Sequence, residues 1–400
     1  MKTVRVILNR LRHGKLDYLI RLSYLLLCQC IGFFVSHIFL VRPKKAIFES
    51  FNGKNICDSP LALLIEMDRV LSGWMFVLVT NNKEEQVTNL TGNNKIIYVR
   101  FKSLQYYISY FTSKFNVVNC RLPYFIYKKS SQILIQTWHG VPLKKIGMDI
   151  DVDNHPTASK ESIRLAYLLE GWRADYFLSS SDYLTDKLCS AFGIEEHKVV
   201  SFGLPRNDAL VNSKSRIDIR KLLNIPPGKK VLLYAPTYRD TIYEHGTFSA
   251  RNPLDCDLFC SRLSEEYVFL FRGHYFSEKN DEAKHFIDVS NVNDVNELLL
   301  VTDILVTDYS SVMFDYSILK RKMYFYHYDY EEYENETRGM YFDLREECSR
   351  IQSESIDELL YLINNEVVDE NYLCWKERFM SFNNSKTSER IIRLMLSHCD

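Results

Sequence analysis

Ile133-Leu134-Ile135-Gln136-Thr137-Trp138 runs straight into His139-Gly140-Val141-Pro142, so an apolar stretch ends abruptly at a histidine and a turn. A short apolar run closed by Gly and Pro reads as a buried strand. Lys45–Phe51 (KAIFESF), Trp74–Thr80 (WMFVLVT), Lys95–Arg100 (KIIYVR) and Tyr176–Ser179 (YFLS) repeat the pattern, with helix-length segments such as Ala62–Val70 between them. This alternation predicts a parallel sheet. Beyond the turn-rich Gly203-Leu204-Pro205-Arg206-Asn207-Asp208, suited to a hinge, a second series follows at Lys230–Tyr234, Val268–Phe271, Ile304–Thr307 and Met323–Tyr326. Two doubly wound α/β domains are expected, over 45–207 and 208–400, after an N-terminal segment 1–44. The last helix, Ser388–Leu396, is expected to pack back on the first domain. Ligands of such sheets sit beyond the carboxyl ends of the strands, which points to a cleft between the domains.

The bulk composition narrows the function classes. With 400 residues, 46% hydrophobic and 25% charged, the chain can bury sizeable cores and is neither disordered nor fibrous. Fifty basic residues against 51 acidic ones give a formal net charge of −1. No global positive field therefore exists to hold nucleic acid. Ten cysteines are scattered without a Cys-x-x-Cys pair or paired Cys/His spacing, which fits a reducing compartment better than a zinc site or a disulfide framework. Asp149, Asp151 and Asp153 alternate, yet the stretch lacks the glycine and distal glutamate of an EF-hand and reads as a solvated acidic loop.

Leu22–Val41 (LSYLLLCQCIGFFVSHIFLV) holds no Lys, Arg, Asp or Glu, and as a helix would be about as long as a bilayer core is thick. Arg5, Arg10, Arg12, Lys15 and Arg21 precede it and Arg42, Lys44 and Lys45 follow. Basic residues on both flanks and the polar Gln29, Ser36 and His37 favour an interfacial or re-entrant anchor on anionic headgroups over a span or a core helix. No small-residue cleavage site follows, so a removed signal peptide is not expected.

Two histidines stand at strand ends. His139 is followed by a glycine that would allow a ligand close to the backbone. His274 follows Phe269-Leu270-Phe271-Arg272-Gly273 in the second series. On facing walls of a cleft, one would serve as base to an incoming hydroxyl and the other as donor to a developing anion, although each alone is also consistent with a structural role. Thr307-Asp308-Tyr309-Ser310-Ser311 ends a strand and opens the helical pattern Val312–Leu319, a candidate anion site. Thr237 and Arg239 follow another strand; Arg239 either binds phosphate or pairs with Asp240. Asp329, Arg338 and Gly339 fall in a loop that could close over a ligand.

Taken together, these motifs resemble the CDP-glycerol glycerophosphotransferase family, which primes or polymerises teichoic-acid and related capsule chains. The residues that carry the resemblance are Glu49-Ser50-Phe51 with Gly53, Gln136 to Gly147, Gly203 to Asp208, Tyr234 to Asp240, Arg272 to Tyr275, Thr307 to Ser311 with Phe314-Asp315-Tyr316, and Arg338 to Asp343, in family order over roughly 45 to 395. The resemblance implies a GT-B fold with the CDP donor held mainly by the second domain, His139 as base and His274 with Arg272 on the donor diphosphate. It also implies substrate contacts from Gly140, Lys144, Arg206, Thr237, Arg239, Thr307, Asp308, Ser310, Ser311, Asp315 and Arg338. Expected partners are CDP-glycerol or CDP-ribitol, a lipid-linked or polysaccharide acceptor, and the cytoplasmic face of the bacterial membrane. No metal ligands and no cofactor are assigned, and a dependence on Mg2+ stays open. The competing readings are a nucleotide-sugar glycosyltransferase of the same fold and a silent scaffold in surface-polymer assembly.

Overall fold

The computed structural model describes residues 15–88, 90–151, 159–215, 218–237, 243–244, 247–248, 254–263, 265–273, 286–331, 333 and 339–399. The chain forms two compact units that are not contiguous in sequence. Unit 1 holds the described residues up to His139, then Lys145–Asp208 and the chain from Phe382 on; unit 2 holds Gly140–Lys144 and Ala209–Ser381. The turn read as a hinge thus ends where unit 1 gives way to unit 2.

Unit 1 is built on seven strands: β1 (Arg42–Glu49), β2 (Met75–Val79), β3 (Lys95–Val99), β4 (Ser113–Val118), β5 (Ile133–Gln136), β6 (Tyr176–Leu178) and β7 (Val199–Val200). They pair in the order β3-β2-β1-β4-β5-β6-β7, every pair parallel. The order reverses between β1 and β4, the point at which loops leave in opposite directions and a crevice opens. Ala46, Ile47 and Phe48 of β1 and Leu134 and Ile135 of β5 are at most 2% exposed, which explains apolar runs without alternation. Two strands fall outside the apolar runs expected from the sequence: the two-residue β7, and β4, whose SKFNVV is interrupted by Lys114 and Asn116.

The N-terminal helix α1 (Lys15–His37) belongs to this unit. It starts before the uncharged run, since Asp17 and Arg21 pair one turn apart at 2.9 Å, and it stops before the run ends, because Arg42 already belongs to β1. Leu25, Cys28, Gly32 and Ser36 recur at helical spacing and are buried against the unit. Gln29 donates to the carbonyls of Tyr124 and Ile126, and Lys129 Nζ donates to those of Ser36 (2.9 Å) and Phe39 (2.6 Å). A Cβ on Gly32 would lie 2.4 Å from the Phe125 carbonyl oxygen, so glycine sets how closely the helix docks. The opposite face shows Leu19, Ile20, Leu26, Leu27, Phe34 and Ile38 to solvent, each more than half exposed. Such a helix is mostly exposed, unlike a core helix, and by length and composition it is apolar enough to cross a membrane.

The other end of the chain also closes on unit 1. Helix α2 (Asp58–Val70) packs with the C-terminal helix Thr387–Leu396. Asp208 accepts from the Ser388 N–H (2.9 Å) and hydroxyl (2.6 Å), while Asn383 accepts from the Leu204 N–H at 2.9 Å. Gly203, at φ 95°, lets this turn approach Asn383 where a Cβ would come within 2.9 Å. The Gly203–Asp208 turn is therefore a clasp for the C-terminal segment as well as a unit boundary.

Unit 2 carries a second parallel sheet of β8 (Lys230–Ala235), β9 (Tyr267–Phe271), β10 (Ile287–Asp288), β11 (Ile304–Thr307), β12 (Lys322–Tyr326) and β13 (Gln352–Ser353), in the order β10-β9-β8-β11-β12-β13. Its reversal falls between β8 and β11. Gly140–Lys144 joins this unit through an isolated antiparallel bridge of Lys144 with Met340 and a 2.8 Å bond from the Tyr341 N–H to the Leu143 carbonyl.

Candidate active site

In unit 1 the reversal between β1 and β4 brings three loops together. Beyond β1, the Phe51 N–H donates to Asn119 Oδ1 at 2.8 Å; beyond β4, the Asn119 carbonyl accepts from His139 Nδ1 at 2.8 Å; His139 itself lies beyond β5. A carbonyl only accepts, so Nδ1 carries the proton and Nε2 keeps its lone pair. Asn119 is fixed in turn by its N–H to the Glu49 carbonyl (3.3 Å) and by Nδ2 to Asp58 Oδ2 (3.1 Å). The histidine ring lies on Trp138, with centroids 4.2 Å apart, and Trp138 is wedged against Tyr167 and Phe192. Gln136 holds the strand end, accepting from the Trp138 N–H (3.0 Å) and donating to buried Glu170 (2.8 Å).

The surroundings hold the pKa of His139 below the usual imidazole value. Burial is the main cause and lowers its pKa; the Asn119 carbonyl and the charge of Asp58 act the other way, and the cations of Arg206 and Arg121 again lower it. Its ring edge nevertheless opens on a cavity of about 720 Å³ in unit 1, bordered by Asn52, Arg121 and Tyr167 among others. An imidazole whose Nδ1 is held by a carbonyl and whose ring borders a cavity is placed to accept a proton from a bound hydroxyl.

In unit 2 the corresponding loops are also tied together. Asp308, 1% exposed, accepts from the N–H of Thr237 (2.7 Å) and of Tyr309 (2.6 Å), joining the ends of β8 and β11. The Thr307 hydroxyl donates to the Ala235 carbonyl at 2.7 Å. Arg272 Nη1 donates to the carbonyls of Val292 (2.6 Å) and Val289 (3.3 Å), and the Gly273 N–H to Ser290 Oγ (2.9 Å), which fixes the backbone leading to His274. Ser311 makes no side-chain cap, and the helix it opens, Val312–Ser317, is too short to supply much dipole.

Several expected site residues make contacts within their own unit. Arg206 is buried behind His139, its Nη1 3.3 and 3.4 Å from the two oxygens of Asp58. Thr307 and Asp315 are 0% and 4% exposed, so the first holds the sheet end and the second lies under its helix. Gly140 and Ser311 do meet: a Cβ on Gly140 would come within 2.8 Å of Ser311 Oγ. Lys144 Nζ lies 4.7 Å over the Tyr333 ring. Asp149 accepts from Ser190 (2.6 Å) and Asp151 pairs with Lys145 (2.8 Å), and no group of metal-ligating side chains occurs among the described residues. His274, Arg239, Arg338 and Asp153 lie outside the described residues. Asn119 and Asp58 were not anticipated; the only signal was a polar residue closing the run FNVV.

Residues 31–397 match the family model described as CDP-Glycerol:Poly(glycerophosphate) glycerophosphotransferase. The chain belongs to this family. It is 34% identical to a teichoic acid poly(glycerol phosphate) polymerase of Bacillus spizizenii over 88% of this chain and 92% of that one. A polymerase of the same description from Staphylococcus epidermidis is 36% identical over 88% of this chain, which spans about half (50%) of that relative's length. The solved wall teichoic acid polymerase TagF is 35% identical with a TM-score of 0.81, covering 90% of each chain. A histidine-to-asparagine variant of TagF soaked with CDPG matches with a TM-score of 0.77. The glycerophosphotransferase family thus accounts for both sheets and gives this chain the GT-B-like α/β fold expected from the motifs.

Proposed function

We propose that this chain transfers glycerol phosphate from CDP-glycerol to a hydroxyl of a teichoic-acid-type acceptor and releases CMP. The observation that carries the reading is His139, its Nδ1 bound to the Asn119 carbonyl and its ring bordering the cavity. The acceptor oxygen attacks the glycerol-bearing phosphorus, its proton passes to Nε2, and the P–O bond to CMP breaks with the electron pair leaving on CMP. Such a transfer depends mainly on positioning and on stabilising charge on the phosphoryl oxygens. His274, Arg239, Arg338, Thr237, Ser310, Ser311 and the Gly140–Lys144 segment are assigned to donor and phosphate contacts, with Arg272 and Asp308 fixing the loops that carry them.

Ribitol phosphate is the second reading, since a ribitol-phosphate polymerase of Staphylococcus aureus is 31% identical over 68% of this chain. Glycerol is preferred because the glycerol-phosphate relatives reach 36%. We also place the chain at the cytoplasmic membrane surface, with the exposed apolar face of α1 in the headgroup region and the face of Leu25, Cys28 and Gly32 on unit 1. Radiolabelled CDP-glycerol, CDP-ribitol and a nucleotide-sugar panel test the donor: CMP release with CDP-glycerol is expected, and turnover with nucleotide sugars alone would refute the assignment. His139→Ala should lose on the order of a hundredfold to ten-thousandfold in kcat, and a near-normal rate would remove the base.

A further inference from the structure

The cavity at His139 has a second border that catalysis at a phosphorus does not require. From His139 it extends past Arg121 and Tyr167, then Lys102 and Tyr107, to Tyr24 on α1. The wall is built into the helix that carries the exposed apolar face: Tyr24 meets Tyr124 at 6.1 Å between ring centroids, and Gly32 docks on the Phe125 carbonyl. One side of the cavity therefore presents the proposed base and another a residue of the apolar helix.

The chemistry between these two borders is cationic and aromatic. Arg121 lies 4.5 Å over the Tyr167 ring and Lys102 5.1 Å over that of Phe101. Neither makes an ion pair with a carboxylate among the described residues, in a unit where Arg206, Arg173 and Lys128 all do. Two cations held over rings and turned to a cavity suit an anion, and tyrosine faces suit the C–H edges of a polyol. Strained backbone gathers here too. Nine non-glycine residues among those described have positive φ, and five of them, Phe51, Asn52, Asp58, Lys102 and Trp138, border the cavity or touch the His139 assembly. Strain of this kind persists where surrounding structure enforces it and concentrates at ligand sites.

We propose that this cavity is the acceptor site, which takes an amphiphile ending in a polyol phosphate. The free terminal hydroxyl lies at His139, the preceding phosphate at Arg121 and Lys102, and the carrier chain leaves beside Tyr24 toward the lipid surface. The assignment rests on the glycerophosphotransferase reading and adds to it which residues select the acceptor.

The test uses the full chain with CDP-glycerol and three acceptors: free glycerol, a short glycerol phosphate oligomer, and the same oligomer on an alkyl tail, in phosphatidylglycerol vesicles. Arg121→Gln should raise the KM for either oligomer about tenfold or more, while donor KM moves far less, so that the preference for oligomer over glycerol collapses. Arg121→Lys should recover much of that preference, which a merely misfolded Arg121→Gln would not explain. Tyr24→Ala should raise the KM for the tailed oligomer and leave the tail-less one nearly as before. If the wild type elongates the oligomers yet both variants keep its preferences, the cavity assignment falls and the transfer reading stands. If the wild type elongates none of the acceptors, both fall.

Discussion

Replacing Arg206 by methionine should both destabilise unit 1 and move the pH dependence of transfer. The side chains of Arg206 and Asp58 are 5% and 7% exposed, and their atoms approach to 3.3 Å. Removing one partner of a buried pair costs about 3–5 kcal/mol, because the other charge is left in a poor solvent. Asp58 would still accept from Asn119 Nδ2 and from the Ser59 N–H, which argues for the lower figure, about 3 kcal/mol. For a domain of this size that corresponds to a fall in Tm of roughly 6–12 °C. Neutralising both residues together, Asp58→Asn with Arg206→Met, leaves no orphan charge and should recover half of the loss or more. The second readout is His139, whose pKa Arg206 lowers and Asp58 raises. Arg206→Met should therefore shift the acid limb of kcat/KM to higher pH, and Asp58→Asn should shift it to lower pH. A Tm within about 2 °C of wild type for Arg206→Met, a loss equivalent to about 0.5–1 kcal/mol, would refute the reasoning. Acid limbs that move in the same direction in the two single variants would do so as well.

Two further outcomes follow from other parts of unit 1. Glu49, fully enclosed and accepting from Tyr110 at 2.5 Å, has its pKa pushed up from 4.5 to about 7 by burial, against the hydrogen bonds of Tyr110 and Tyr106. Since the folded pKa lies above the unfolded one, its contribution is intact below pH 4.5 and fades as pH rises to about 7, by up to about 3 kcal/mol. Glu49→Gln should flatten the fall in Tm between pH 5 and pH 8, and an unaltered fall would show that another group is responsible. Leu26→Glu with Phe34→Glu, on the exposed face of α1, should weaken partition into anionic vesicles by at least about a hundredfold while the soluble fraction keeps its Tm, a size set by the burial each side chain would lose. Undiminished sedimentation with vesicles would remove the interfacial role of the helix.

The sequence was most readable where burial on both faces leaves no choice of residue. Ile133-Leu134-Ile135 of β5 and Ile304-Leu305-Val306 of β11 are buried apolar runs, and His139 and Asp308 lie just beyond the ends of these strands. It was least readable where polar residues do interior work. Asn116 is 2% exposed within β4, and Asn119 ends that strand with every polar group engaged, yet SKFNVVN carries no apolar periodicity that would announce a strand. Arg206 and Thr307 looked like phosphate ligands because their residue types are those of phosphate ligands. Only distances reveal that one neutralises Asp58 and the other ties two strands. The limits of α1 are hidden in the sequence for a related reason. Charge-free composition marks Leu22–Val41, whereas the helix is bounded by the Asp17–Arg21 pair at its start and the entry into β1 at its end.

The clasp between Gly203–Asp208 and the C-terminal segment bears on the order in which the polypeptide can mature. Unit 1 is left open after Asp208 and receives its last pieces only from Phe382 onward, with the bulk of unit 2 encoded in between. As the ribosome delivers residues from the N-terminus, unit 2 can complete its sheet while the half-buried Asp208 still awaits Ser388. The unit that carries His139 is therefore the later of the two to be sealed. A nascent chain arrested short of Phe382 would carry His139 in place but without the segment that closes the unit around it.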